Sequence, residues 1–341
     1  MSDAIDSVRV RHSSLSSRIG TAIVVLAFAA LAAVPFWAAH ADLRLLAEVY
    51  AYVALASLWN LLAGSAGLVS FGQQAYVGLG AYLLFALVTF AGVHPLVAIP
   101  LAGVAAAIVA VPAAALLFRL RGHYFAVGTW VVAEVFRLLA TQTKVLGGGS
   151  GTSLPESVAV SIAPSQQVRE FIVYWTALAL LALILLAIVW LLRSRYGLAL
   201  TAMRDSELGA RSNGIAVARV RYALYVAVAF GTAMVGALIF LQRMRISPDA
   251  AFSVNDWTAF VIFIAVIGGI GRVEGPIIGA VIFFLLRRAL AGLGPVFLLV
   301  LDVVAVAVML KAPKGLWGLI ADRFGWQVFP LERRLVIRRR R

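Results

Sequence analysis

Apolar residues in this chain come in runs long enough to cross a lipid bilayer. That feature decides most of what the chain can fold into. The runs are roughly 20–39, 43–62, 72–92, 95–118, 124–141, 170–192, 218–242, 255–270, 275–291 and 293–310. A membrane helix needs about 20 apolar residues to cross roughly 30 Å of hydrocarbon. Inside lipid, a backbone N–H or C=O without a partner costs several kcal/mol, so only helices and closed barrels span. The alternating ten-residue segments of a barrel are not seen. The expected fold is an all-α polytopic membrane protein with about ten transmembrane helices, some of them broken. With 63% of the 341 residues hydrophobic and 13% charged, little chain is left for a separate globular domain.

The net charge of +14, from 29 basic and 15 acidic residues, would by itself point to nucleic acid. Position decides otherwise. With the N-terminus in the cytoplasm, 21 of the 29 basic residues fall on the cytoplasmic side. They are Arg9, Arg11 and Arg18, then Arg119 and Arg121, six from Arg193 to Arg221, Arg272, and nine from Lys311 to Arg341. This is the positive-inside pattern of a membrane protein. It puts both termini in the cytoplasm and requires an even number of spans. Arg287 and Arg288 fall on the outer side, which leaves room for a broken helix within 255–310. Residues 1–19 and 312–341 read as basic cytoplasmic tails around a transmembrane domain over 20–311. Arg333, Arg334 and Arg338 to Arg341 would attract anionic lipid at about 1 kcal/mol per charge. Ala39-His40-Ala41 resembles a signal-peptidase site. However, the apolar stretch before it is about 20 residues long, beyond the usual 7–15 of a signal segment, so the expectation is an uncleaved first helix.

Cysteine is absent, which excludes disulfides and thiolate chemistry. The four histidines, His12, His40, His94 and His123, have no metal-ligand spacing. No catalytic residue, metal or bound cofactor is expected, and the chain does not read as an enzyme.

Two loops are long enough to carry function. The outer one, about 142–169, is rich in glycine around Gly147 to Gly151. The inner one, about 193–217, contains a stretch at 198–212 without proline and rich in helix formers. Gly197 precedes that stretch and Asn213-Gly214 follows it, a common C-terminal signal. Glu207 and Arg211 stand at i,i+4, a favourable pair on a helix. The spacing predicts a short surface helix that is either a solvated connector or a docking element.

At this point a family resemblance enters. The run Gly197-Leu-Ala-Leu-Thr-Ala-Met-Arg204-Asp205-Ser-Glu207-Leu-Gly-Ala210-Arg211-Ser-Asn-Gly214-Ile215 is similar to the inner loop of ABC-importer permeases, in particular the LivM-type permeases of branched-chain amino acid uptake. Three other stretches resemble that family in the same order. The first runs from Asn60 to Tyr82 and includes Gly64, Gly67, Ser70, Phe71, Gly72, Gln73, Tyr76, Gly78 and Gly80. The second carries Tyr124-Phe-Ala, Ala133-Glu134 and Arg137, with Gly147-Gly148-Gly149 following. The third is Gly268-Gly-Ile-Gly271-Arg-Val-Glu-Gly275-Pro276-Ile-Ile-Gly279. Gln73 stands where many relatives carry His, and Gly209 replaces a common Ala. The resemblance implies a multi-pass subunit of the bacterial inner membrane that imports branched-chain or related aliphatic amino acids. Near relatives handle urea and short amides. The implied partners are a second homologous permease subunit, two ATP-binding subunits and a periplasmic substrate-binding protein. The chain has no G-x-x-x-x-G-K-[ST], so ATP and Mg are expected through the partner subunits. ATPase coupling falls by resemblance on Gly197, Arg204, Asp205, Glu207, Ala210, Arg211 and Gly214.

For the substrate pathway the candidates are Gly64, Gly67, Ser70, Phe71, Gly72, Gln73, Tyr76 and Glu134. The glycines carry two readings, close helix packing or a helix interrupted near mid-membrane whose freed backbone faces a zwitterionic substrate. Glu134 and Arg137, at i,i+3, form a self-neutralising pair or line the pathway. A proton-driven transporter leaning on Glu134 and Asp302 is the competing mechanism. It would stop with the proton gradient and survive loss of ATPase partners.

Overall fold

The computed structural model describes residues 5–11, 15–120, 122–290, 292, 294, 296–312, 315–324 and 334–339. The helices in chain order are α1 (Leu15–Ala33), α2 (His40–Asn60), α3 (Gln73–Ala91), α4 (Pro95–Leu117), α5 (His123–Gln142), α6 (Glu156–Ile162), α7 (Gln166–Arg193) and α8 (Arg195–Asp205). They continue with α9 (Glu207–Ser212), α10 (Val217–Arg243), α11 (Pro248–Ala251), α12 (Phe260–Gly268), α13 (Gly275–Ala289), α14 (Val296–Lys311) and α15 (Gly315–Phe324). Helix α2 runs on through a π-helical turn at Leu61–Ser65, and a second π turn at Asn255–Ala259 leads into α12. Among the described residues, seven helical stretches are long and apolar enough to cross a membrane: His40–Ser65, Gln73–Ala91, Pro95–Leu117, His123–Gln142, Gln166–Arg193, Val217–Arg243 and Pro248–Gly268. The chain is thus an all-α, multi-pass membrane protein. The other three predicted runs are occupied by α1, α13 and α14. Helix α13 has 15 residues, about 22 Å at 1.5 Å per residue, and is shorter than the hydrocarbon core. The break predicted within 255–310 lies at 269–274, between α12 and α13.

Two short ribbons depart from the helical plan. Thr152–Ser153 (β2) pairs antiparallel with Arg245–Ile246 (β3), which ties the glycine-rich loop to the end of α10. At the chain ends, Ile5–Arg11 (β1) pairs antiparallel with Arg334–Arg339 (β4). Residues 7–11 of β1 alternate polar with apolar, the period of a strand, while β4 carries the apolar run Leu335-Val336-Ile337. These two segments of the basic tails therefore lie side by side.

Helices α2, α3, α10 and α12 form the centre. Tyr52, Leu55, Val77, Phe85, Phe240, Trp257 and Ile264 are buried there. Small residues set the closest crossing: a Cβ on Gly80 would overlap the Ala233 carbonyl, and one on Gly236 the Val77 carbonyl. In lipid, where apolar burial drives association weakly, such backbone approach supplies the van der Waals contact. Long-range ion pairs close the end opposite α8 and α9. Glu170 on α7 accepts from Arg44 on α2 and pairs with His40. Arg287 donates to Glu48 across 2.9 Å, so the cation that stood on the wrong side for orientation is neutralised by a neighbouring span.

Candidate functional site

Near the end of the bundle that carries α8 and α9, two interrupted segments cross. The first is the end of α2. Its π turn stops at Ser65, and residues 67–72 are non-helical before α3 begins at Gln73. Gly67 takes φ +68°, a conformation that costs most other residues strain. The stretch from His40 to Ser65 has 26 residues and rises about 39 Å. The break therefore lies at the far end of the span and not at its midpoint. The second segment is 269–274. Asn60 clasps it with both ends of its amide: Nδ2 donates to the Arg272 carbonyl (2.8 Å) and Oδ1 accepts from the Gly271 N–H (2.7 Å). This contact allows no side chain at Gly64, where a Cβ would lie 2.6 Å from Gly271 Cα and 2.7 Å from Asn60 Oδ1. The cavity beside the crossing, bounded by Ser57, Asn60, Ser65 and Gly271, holds about 10 Å³. That is at the lower limit for one water, so the crossing is closed.

The predicted pathway residues divide into four groups. Gly64, Gly67, Ser70 and Gly72 shape the interrupted backbone. Ser70 Oγ accepts from the Gly72 N–H (3.2 Å), and a Cβ on Gly72 would overlap the Thr129 carbonyl of α5. Phe71 stands apart: its N–H donates to Thr129 Oγ1 (3.0 Å) while its ring is 43% exposed, as is Val69 at 45%. Gln73 and Tyr76 point into the bundle. Gln73 Nε2 donates to Thr232 on α10 (3.0 Å), and the Tyr76 hydroxyl donates to that of Tyr225 (3.2 Å). Glu134 lies on α5 toward the opposite end. It accepts from Arg137 Nε and Nη2, and Arg137 Nη1 extends to Asp249 at 2.9 Å. The side chain of Asp302 lies outside the described residues. A cleft of about 170 Å³, lined in part by Arg44, Gln166, Arg169, Glu170, Tyr174 and Gln242, opens at that same opposite end.

The inner loop is helical but not one helix. It divides at Ser206, whose extended backbone (φ −157°, ψ 110°) separates α8 from α9 and whose Oγ accepts from the Gly209 N–H (3.1 Å). The signal was present in Asp205-Ser206-Glu207, an N-cap serine followed by an acid in the first turn. Gly197 is buried at the α7–α8 corner against the Leu192 carbonyl. Ala210 packs with Met203 and Val217, which seats the pair of helices on α10. Gly214 ends α9 with φ +78°. Glu207 pairs with Arg211 on its own helix and with Arg221 on α10 (2.9 Å). Asp205 pairs with Arg204, whose Nη1 donates to the Gly64 carbonyl (3.0 Å). Leu208, absent from the sequence-predicted set, is 81% exposed on α9 and the most exposed apolar side chain of the pair, ahead of Leu198 at 50% on α8.

Burial pushes the Glu207 carboxyl up, but Arg221 and Arg211 outweigh it and hold the group below the ordinary carboxylate value. A carboxylate with a lowered folded pKa stabilises fully above its unfolded pKa, about 4.3 for Glu. That contribution disappears as pH falls through the folded value. Wild-type α9 should therefore keep its amide protection from pH 7 to about 4.3 and lose it below. Glu207→Gln should show the loosened state already at pH 7. Hydrogen exchange over 206–215, corrected for intrinsic rates, measures this; equal protection in the two proteins at pH 7 would count against the pairing.

Among the described residues no group of three or more His, Asp or Glu side chains is placed to hold a metal. The fold is that of a multi-pass membrane protein. Residues 43–313 match the family described as branched-chain amino acid transport system / permease component, and the chain belongs to that family. Among its relatives are the high-affinity branched-chain amino acid transport system permease proteins LivM of Salmonella typhimurium and Escherichia coli. Each is 27% identical over 304 residues, covering 83% of this chain and 71% of the relative. A probable branched-chain amino acid transport permease protein LivM of Methanocaldococcus jannaschii is 26% identical over 171 residues, half of this chain and 48% of that one.

Proposed function

We propose that this chain is one permease subunit of an ABC importer that moves branched-chain or related aliphatic amino acids across the inner membrane by ATP-driven alternating access. The observation that carries the reading is the α8–α9 pair: a short helical element packed on α10 at one end of the bundle, with Leu208 presented outward beside charged residues. Leu208 stands between the ion-paired Glu207 and Arg211. An exposed leucine ringed by charge fits a contact whose apolar centre is sealed by a polar rim. The occupant is an ATP-binding subunit. A second such subunit takes the equivalent element of a homologous permease, and a periplasmic binding protein delivers substrate at the opposite end. Phe71 and Val69, exposed beside α5, line the route that opens when the crossing of 67–72 and 269–274 separates. Glu134, tied to Arg137 and Asp249, holds α5 to α11 and carries no proton.

The test is Leu208→Asp in the complete complex. A buried charge at the centre of a contact costs at least about 2 kcal/mol, so the ATP-binding subunits should co-purify at no more than about a tenth of the wild-type amount. The permease itself should remain monodisperse. Full co-purification with unchanged uptake would remove α8–α9 as the docking element.

A further inference from the structure

Arg204 joins three segments that are far apart in sequence. Its Nη1 donates to the carbonyl of Gly64, 140 residues away. Its aliphatic stem covers Gly67, where an added Cβ would meet Arg204 Cγ at 3.6 Å. Its Nη1 also lies 3.8 Å from the place that a Cβ on Gly271 would take. Its Nε donates to Asp205 (3.1 Å), which fixes the plane of the guanidinium.

The accepting carbonyl gives this bond its weight. The last four C=O groups of a helix have no partner within it. Helix α2 ends through its π turn before residue 67, so Gly64 belongs to that final turn. The Leu62 carbonyl is met by the N–H of Leu68 (2.9 Å); the Gly64 carbonyl is met by Arg204. A guanidinium there also faces the negative end of the helix dipole. A charge-assisted bond of this kind is roughly twice as strong as a neutral one. The Gly64 backbone is itself pressed against Gly271, which Asn60 holds. A displacement of α8 is therefore passed to the end of α2 and, through that contact, to segment 269–274. Glu207 makes a separate attachment, to Arg221 on α10.

We propose that Arg204 is a positioning residue that transmits movement of α8–α9 to the crossing of the two interrupted segments, and is not a contact to the ATP-binding subunit. The proposal rests on the docking reading of α8–α9 given above. One side chain serves Gly64 and Asp205 from two nitrogens of a rigid fork, which the single ammonium of lysine does not reproduce.

The test uses the complete complex in proteoliposomes, with ATP hydrolysis and uptake of radiolabelled leucine measured on the same preparation. Arg204→Gln should retain the ATP-binding subunits in wild-type amounts, while leucine taken up per ATP hydrolysed falls at least tenfold. Arg204→Lys keeps the stem and the charge, and should give a ratio between the two. Loss of the ATP-binding subunits from Arg204→Gln would make Arg204 a docking contact and overturn the proposal, leaving the docking reading intact. An unchanged ratio in Arg204→Gln would also overturn it. If Arg204→Gln does not fold, a wild-type ratio in Arg204→Lys overturns it and a reduced ratio supports it. Failure of the docking reading has a different signature, full co-purification and unchanged uptake in Leu208→Asp.

Discussion

Replacing Gly64 by alanine is expected to remove most folded, transport-competent protein. A single methyl group added there would collide with the backbone N and Cα of Gly271 and with Asn60 Oδ1. Backbone cannot rotate away as the end of a flexible side chain can. The segments must separate, and the separation stretches the Asn60 bonds to Gly271 and Arg272 and the Arg204 bond to Gly64. Overpacking costs about 1–3 kcal/mol, and each buried group left without a partner adds about 1–3 more. A total of at least about 3 kcal/mol follows, and a fall in thermal midpoint of about 5 °C or more. Gly149→Ala is the control, since nothing lies within 4 Å of its added Cβ. Thermal unfolding in detergent should place the control near wild type and Gly64→Ala well below it. Equal midpoints would mean that the two segments are not in backbone contact.

The second large effect is expected at Asn60. Leucine has nearly the same shape but neither donor nor acceptor, so Asn60→Leu leaves the Gly271 N–H without its acceptor in a largely buried place and removes one of two donors to the Arg272 carbonyl, which keeps the Gly275 N–H (3.3 Å). The unpaired N–H costs about 1–3 kcal/mol and the lost bond to Arg272 about 1 kcal/mol more, roughly 2–4 kcal/mol together. Asn60→Asp separates the two bonds. It keeps the acceptor for Gly271 but turns a carboxylate toward the Arg272 carbonyl, and a buried charge needs a partner. At pH 7, Asn60→Asp should therefore destabilise at least as much as Asn60→Leu. Thermal midpoints and leucine uptake of the two variants check this. A stable, active Asn60→Asp would show that only the bond to Gly271 matters.

Much of this architecture is legible in the sequence because lipid leaves few choices. Runs such as 95–118 and 218–242 have to be helices, and α4 and α10 are where those runs place them. Gly64, Gly67 and Gly72 were readable as close packing or as a break. Both apply: Gly64 and Gly72 are close approaches, and Gly67 supplies the left-handed residue of the break. Depth was the misleading part. A break near mid-membrane was one expectation, yet the 26 residues from His40 to Ser65 cross before it comes. Side-chain partners were not legible, because they are set by contacts across the bundle. Gln73 reads as a pathway residue from its motif, but Thr232, 159 positions later, takes its amide. Arg287 reads as a misplaced charge until Glu48, 239 positions earlier, is beside it. Arg204 reads as a surface residue of a docking helix, and only the fold brings it to Gly64. Leu208 and the division at Ser206 lay within the resembling motif. Their meaning needed exposure and backbone angles, which spacing does not give.

Under the proposed function, ATP hydrolysis on partner subunits, delivered through α8–α9, drives import. The most direct measurement is uptake of radiolabelled leucine into proteoliposomes holding the complete complex, with the binding protein outside, ATP inside and a protonophore present. Uptake should require ATP and be unaffected by the protonophore. Uptake that continues without ATP and collapses when the proton gradient is dissipated would contradict it.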